Sequence, residues 1–293
     1  MTSVRIATRG SAQARTQATA VADLLRAHHR GLNVELVFVD TTGDQRQDVP
    51  LHTIGGQGVF VKEVQAAVLA GRADIAVHSA KDLPSTPADG LVIAAFGERR
   101  DPRDVLVGRS LADLGQGATV ATGSVRRRSQ LTAIRPDLHF VELRGNIPTR
   151  LEKIPVDGSI VMAAAALEIL GWSDRVSEYI DVQVMVPAVG QGCVAIECRE
   201  DDQQTRDVLH AIDHALSRRA VEHERAFLAE LGSGCSLPVG AYDDGSTMLV
   251  YLASDDAAQH HFASITTGHI SSHDELLHAS RSAARTARDA VAG

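Results

Sequence analysis

The feature that most constrains this chain is an alternation of strand and helix signals that runs for about a hundred residues, stops, and begins again. Val4-Arg5-Ile6-Ala7 reads as a short strand, and Thr8 to Ser11 as a turn. Ser11 is placed to cap an Ala-rich helix running through Val21, Leu24 and Leu25. Val34–Val39 is a second strand, Gly55-Gly56-Gln57-Gly58 a glycine loop, Phe60–Ala70 a helix and Asp74–Ser79 a third strand. A βαβαβ series of this kind implies a mostly parallel sheet with right-handed crossovers. The polar, proline-broken stretch Glu98–Asp104 reads as a crossover between domains.

The series then restarts. Thr119–Ala121 is a strand, Val125–Ile134 a helix and His139–Leu143 a strand. Arg144-Gly145-Asn146 is a turn, Thr149-Arg150-Leu151 a short helix, Ser159–Ala164 a buried strand and Ala165–Leu170 a helix. Val189–Glu197 reads as a glycine hinge and a strand that returns the chain to the first sheet. Helix signals run from Gln204 to Leu231, followed by a Gly-Cys-Pro loop over 232–238. Strands at Met248–Ala253 and His261–Thr267 and a closing helix from Asp274 to Ala292 make a small α+β unit.

Several classes of protein are excluded or disfavoured. A length of 293 residues lies at the upper edge of what one hydrophobic core organises, so two or three domains are expected. No apolar run approaches the roughly 18–20 residues of a membrane span, and no signal-peptide stretch is expected at the N-terminus. Cys193, Cys198 and Cys235 form no CxxC pair and leave at least one thiol unpaired, which favours a reducing compartment. A net charge of −8 and 3% aromatic residues argue against nucleic acid as a partner. The histidines show no metal-binding spacing; the His210/His214 pair lacks a third ligand. The glycine loop lacks the ending of a P-loop, so nucleotide binding is not indicated.

Against the acidic background, Arg126, Arg127, Arg128, Arg135, Arg144 and Arg150 crowd into one segment. Guanidinium forks match carboxylates and phosphates, so this reads as a local anion site; the alternative is a solvated helix face. Arg9/Ser11, Ser79/Lys81, Thr122/Ser124 and Arg144/Asn146 all fall at the carboxyl ends of expected strands, where open α/β sheets collect ligands. An anionic ligand held between two lobes is the expectation. Asp82, beside Ser79 and Lys81, is either a proton shuttle or a cap before Pro84. Cys235 is either a buried apolar residue or an accessible thiol.

Taken in order, these segments resemble the porphobilinogen deaminase family. The resemblance rests on Ile6-Ala7-Thr8-Arg9-Gly10-Ser11, Gly58-Val59-Phe60-Val61-Lys62-Glu63 and Ala73-Asp74-Ile75-Ala76-Val77-His78-Ser79-Ala80-Lys81-Asp82. It continues through Asp101-Pro102-Arg103-Asp104, Arg144-Gly145-Asn146, Thr149-Arg150-Leu151, Pro187-Ala188-Val189-Gly190-Gln191-Gly192 and Gly234-Cys235 with Pro238. It implies an α/β fold of two similar βα lobes with mostly parallel mixed sheets, periplasmic-binding-protein-like, plus a small α+β C-terminal domain. The domains expected are 1–97 completed by 190–213, 98–189, and 214–293.

The resemblance also implies a chemistry. The family joins four porphobilinogen molecules head to tail, with loss of ammonia, into hydroxymethylbilane. It does so on a dipyrromethane cofactor held by a thioether, which maps onto Cys235. The acid–base aspartate maps onto Asp82. Arg9, Arg126, Arg127, Arg144 and Arg150 map onto arginines that bind the pyrrole carboxylates, with Ser11, Ser79, Lys81, Thr122 and Ser124 as further donors. Phe60 maps onto an aromatic near the pyrroles; a core phenylalanine is the alternative. No metal is implied. A cytoplasmic monomer acting on a small molecule, without membrane or nucleic acid, is expected.

Some positions depart from the family pattern. Thr53 and Gln57 stand where lysines are usual, and Ile169 where an arginine is expected. The cysteine loop is loosened as well. These departures leave open a paralog acting on another pyrrole or aminomethyl substrate. The lobe pattern alone also admits a non-catalytic anion-binding protein.

Overall fold

The computed structural model describes residues 1–41, 58, 60–232, 237–254 and 256–292. Thr53, Gln57 and Cys235 lie outside the described residues. The first lobe contains β1 (Ser3–Arg9), α1 (Ala12–His28), β2 (Asn33–Val39), α2 (Lys62–Leu69), β3 (Ile75–Ser79) and β4 (Leu91–Phe96). Its fifth strand is β10 (Val194–Arg199), and the sheet order is β2-β1-β3-β10-β4. Strands β2, β1 and β3 are parallel, whereas β10 runs antiparallel to β3 and β4. Helix α1 starts where Ser11 Oγ accepts from the Ala14 amide at 3.3 Å. It buries Ala18, Val21, Ala22 and Leu25, a helical-period stripe packed with Val4, Ile6, Ile75 and Val77.

The second lobe repeats this plan. It consists of β5 (Asp104–Gly108), β6 (Thr119–Ala121), α3 (Val125–Ile134), β7 (His139–Val141), α4 (Ile147–Leu151), β8 (Ser159–Ala163), α5 (Ala164–Glu168) and β9 (Glu178–Tyr179). The order β7-β6-β8-β5-β9 matches the first sheet position by position. Parallel β7, β6 and β8 are again followed by an antiparallel strand, β5. In each lobe that fourth strand is the one entering from the other lobe. The chain thus crosses twice, and each crossing ends in a buried central strand.

The remaining elements are α6 (Gln203–His210), α7 (Ala215–Glu230), β11 (Val239–Asp243), β12 (Thr247–Ala253), β13 (His260–Thr266) and α8 (His273–Ala292). The three strands form an antiparallel sheet. One face packs Met248, Val250 and Leu252 with Phe227 of α7 and Ala284 and Ala287 of α8. The other carries Leu249, Tyr251 and Ala253 against Val186, and Tyr251 shares a 2.7 Å hydrogen bond with Ser129 of the second lobe. No described helix is long and apolar enough to cross a membrane.

The structure corrects the sequence reading in several places. β1 continues through Arg9, so the turn begins two residues later, at Gly10. β4, β5 and β9 were not expected as strands. The helical stretch from Gln204 to Leu231 is two helices, because the chain bends at Ala211–His214. There His214 donates its amide to the Phe96 carbonyl at 2.8 Å, and its ring caps α7 through the Ser217 amide.

The two crossovers are laced together. The Arg100 amide donates to the Gly192 carbonyl and Arg99 Nε to the Gln191 carbonyl, both at 2.9 Å. Glu224 of α7, fully buried, pairs with the Arg99 guanidinium and accepts from the Gly190 amide at 2.7 Å. Both crossovers are therefore fastened to one carboxylate of the C-terminal unit. Gly192 has a φ of +87°, and a Cβ there would lie 2.6 Å from the Arg100 carbonyl oxygen. Gly192→Ala combines a left-handed backbone with backbone overlap, so it should cost about 2 kcal/mol or more. Thermal or denaturant unfolding of the purified variant checks this.

Candidate active site

The carboxyl ends of the parallel strands in both lobes open onto one cleft of about 370 Å³. From the first lobe come Arg9 at the end of β1, Ser11 at the cap of α1, Phe60, and Lys81 and Asp82 from the 3-10 turn Ala80–Asp82 that follows β3. From the second come Ser124, Arg126 and Arg127 at the start of α3, and Arg144 and Arg150 flanking or within α4. Gln191 of the return crossover completes the wall. The Arg9 guanidinium lies over the Phe60 ring, 4.1 Å from its centroid. Local caps hold the helix starts: Ser124 Oγ accepts from the Arg127 amide at 3.4 Å and Asn146 Oδ1 from the Thr149 amide at 3.0 Å.

Two candidates stand aside from this cleft. Ser79 Oγ exchanges hydrogen bonds with the Gln17 amide group at 3.0 and 3.2 Å, on a small side cavity it shares with Gln13, Lys81 and Arg100. Thr122 is buried, and its hydroxyl accepts from the Ser124 amide at 3.2 Å. Ile169 caps the end of α5, next to Leu170 in the cleft wall.

Among the described residues six cationic side chains, Arg9, Lys81, Arg126, Arg127, Arg144 and Arg150, line the cleft, with Asp82 as the one lining carboxylate. A second carboxylate lies behind them, and sequence reasoning missed it. Asp104 opens β5 with no exposed surface. Its Oδ2 accepts from Arg126 Nη1 at 2.7 Å and its Oδ1 from Arg127 Nε at 2.9 Å. Gln191 Nε2 adds a third donor at 3.1 Å. The two arginines also donate to the carbonyls of Val186 and Val161. Asp104 lies 22 residues before Arg126, on an element that reads as crossover; its one sequence signal is its place in Asp101-Pro102-Arg103-Asp104.

The cations press on one another. Burial, with repulsion from Arg127 and Arg144, pushes Arg150 down to about 10. Burial and Arg127 push Lys81 down to about 8. Asp104 moves the other way: despite its burial, Arg126 and Arg127 hold it well below the usual carboxylate range. An arriving polyanion would relieve the repulsion among the cations, since opposite charge favours their charged forms. The donor set therefore fits a ligand with several carboxylates.

Asp104→Asn would leave two buried guanidinium groups without their counter-charge. Breaking a buried pair from one side typically costs 3–5 kcal/mol, so a loss of about 3 kcal/mol or more is expected in denaturant unfolding. Because the folded carboxyl is depressed, its contribution is complete above the unfolded value near 4 and fades as the pH falls below it. The acid limb of the stability profile should be shallower in the variant.

The match to known proteins covers most of the chain. A family model described as "Porphobilinogen deaminase, dipyromethane cofactor binding domain" matches residues 4–207. A second, "Porphobilinogen deaminase, C-terminal domain", matches residues 219–260. The porphobilinogen deaminase of Syntrophus aciditrophicus is 46% identical over 245 residues, which is 82% of this chain and 80% of that one. That of Roseiflexus sp. is 48% identical over 241 residues, 80% of each chain. Among solved structures, the periplasmic aliphatic sulphonate binding protein SsuA from Escherichia coli aligns at 16% identity and a TM-score of 0.38, over 70% of this chain and 64% of that one. With two family models in chain order and relatives this similar over four-fifths of their length, the chain belongs to the porphobilinogen deaminase family.

Proposed function

We propose that this protein is a transferase, a hydroxymethylbilane synthase, that joins porphobilinogen units head to tail with loss of ammonia at each addition. The observation that carries the reading is the pairing, among the described residues, of six cations with one carboxylate in a single interlobe cleft. Each porphobilinogen brings an acetate and a propionate, so a growing chain is a polyanion whose carboxylates need fixed forks. A dipyrromethane, attached through Cys235, supplies when bound the pyrrole carbon to which the first unit is joined. Arg9, Arg126, Arg127, Arg144 and Arg150, with Lys81, Ser11 and Ser124, would hold its carboxylates and those of the units that follow.

In each addition the aminomethyl C–N bond of the substrate breaks, and positive charge spreads over its pyrrole. Asp82 faces this charge. Its carboxylate stabilises the developing cation and accepts the pyrrole N–H in a hydrogen bond. It then takes up the proton released as the new C–C bond closes. Ser79 and Thr122, whose hydroxyls are engaged locally, act in this reading by supporting Gln17 and Ser124. The three domains divide the work as 1–97 with 190–213, 98–189 and 214–293, the last bearing the attachment residue. The enzyme works as a cytoplasmic monomer. Cys193 and Cys198 are buried free thiols, which supports a reducing compartment.

Intact mass of the purified protein should show about two pyrrole units added, and Cys235→Ser should abolish the adduct. Asp82→Asn keeps the shape and removes the charge, so kcat should fall by roughly 100-fold or more with the fold retained. A variant with near-normal turnover would remove Asp82 from this role. The lowered Lys81 gives a pH signature. Its charge is present below about 8 and lost above. The kcat/KM for porphobilinogen should therefore decline as pH rises through that value, and Lys81→Met should lack this limb.

A further inference from the structure

Asp82 takes no hydrogen bond from any side chain among the described residues, so its placement depends on how the backbone of its loop is held. The loop is gripped from one side by helix α7. Val221 packs with Ala80 and Leu83, the residues flanking the Lys81-Asp82 pair, in a cluster that also holds Phe96 and Cys193. One helical turn further on, Arg225 Nη2 donates to the Pro84 carbonyl at 2.8 Å and the Ser85 carbonyl at 3.3 Å. Arg225 reaches these atoms from 141 residues away in sequence while only 9% exposed. Its second terminal nitrogen, Nη1, is buried with no hydrogen-bond partner.

The surroundings of Arg225 are polar but sparse. Burial lowers its pKa, and Glu197 of β10 opposes that effect. Glu197 is itself occupied by Gln65 of α2 at 2.9 Å and by His78 of β3 at 3.0 Å. A buried guanidinium with two carbonyl acceptors and one idle nitrogen is a poor source of stability, because its desolvation is only partly compensated. What it does provide is a fixed distance between α7 and the loop after Asp82. Helix α7 ends at Glu230, and Cys235 follows five residues later in sequence.

We propose that Arg225 is a positioning residue, holding the Asp82 loop in register with the helix that leads to the cofactor attachment point. The inference rests on the function proposed above. It assigns Arg225 no contact with substrate: it acts on the backbone of residues 84–85 and, through it, on Asp82.

The test compares Arg225→Met and Arg225→Lys holoenzymes with the parent for kcat, KM, adduct mass and amide hydrogen exchange over residues 80–88. Arg225→Met should retain the adduct on Cys235. Its kcat should fall on the order of 10- to 100-fold, the scale of a misplaced catalytic group, with KM within about twofold. Exchange should quicken over 80–88. Arg225→Lys, which keeps one ammonium donor on a shorter reach, should recover part of kcat. Parental kcat in folded Arg225→Met would overturn the proposal, as would loss of the adduct with exchange over 80–88 unchanged. If Arg225→Met does not fold, Arg225→Lys decides by the same two readouts: reduced kcat with faster exchange supports the role, and parental values overturn it. A parent protein with neither adduct nor turnover would sink the functional reading instead, while the exchange comparison would still judge the anchor.

Discussion

A single buried carboxylate makes the rest of the cleft possible. Asp104 sits at the start of β5 with no solvent contact and is shared by Arg126 and Arg127. Without it, two guanidinium groups at the base of α3 would face each other in a poorly solvated corner beside Lys81 and Arg150. With it, they are set at fixed angles, each with donors committed to Asp104 and to backbone carbonyls. The surplus of positive charge toward the cleft remains, as the lowered Lys81 and Arg150 attest. Such a site is ordered before its ligand arrives, which is where binding energy is best spared.

The same carboxylate links charge to architecture. Gln191, which donates to Asp104, lies in the return crossover and also touches Lys81 Nζ at 3.4 Å. Its own carbonyl accepts from Arg99 in the outgoing crossover, and Arg99 is paired with Glu224 of α7. A chain of polar contacts therefore runs from the cleft floor through both crossovers to the C-terminal unit. Relative movement of the lobes has to pass through these few residues, since the crossovers are where the covalent chain joins one lobe to the other.

The sequence made the parallel strands of each sheet and the returning strand β10 legible and hid β4, β5 and β9. β1, β2, β3, β6 and β8 are short apolar runs followed by turn chemistry and a helix, a pattern with a period to read. β4 and β5 lack that frame. They border a stretch dense in charge, and β5 begins with the very aspartate that looked like part of a polar linker. Helix Val125–Ile134 was readable to its ends because Ser124 caps it, and its arginines were readable as an anion site. That Arg126 and Arg127 share a buried partner was not, because the partner lies on another strand. Ser79 and Thr122 show the opposite failure. A hydroxyl at a strand end looks like a ligand donor, but here Gln17 and the Ser124 amide claim it first. Arg225 carried no signal at all, since an arginine inside an amphipathic helix ordinarily faces solvent.

The exchange of fourth strands has a consequence for how the polypeptide is made. The second lobe is continuous from Asp104 to Tyr179 and can close as soon as it leaves the ribosome. The first lobe cannot. Among the described strands β4 pairs only with β10, so it waits, unzipped, while about a hundred further residues are translated. The N-terminal half is thus the last of the two to mature, and the apolar strand Leu91–Phe96 is the surface that nascent-chain chaperones would have to shield in the interval.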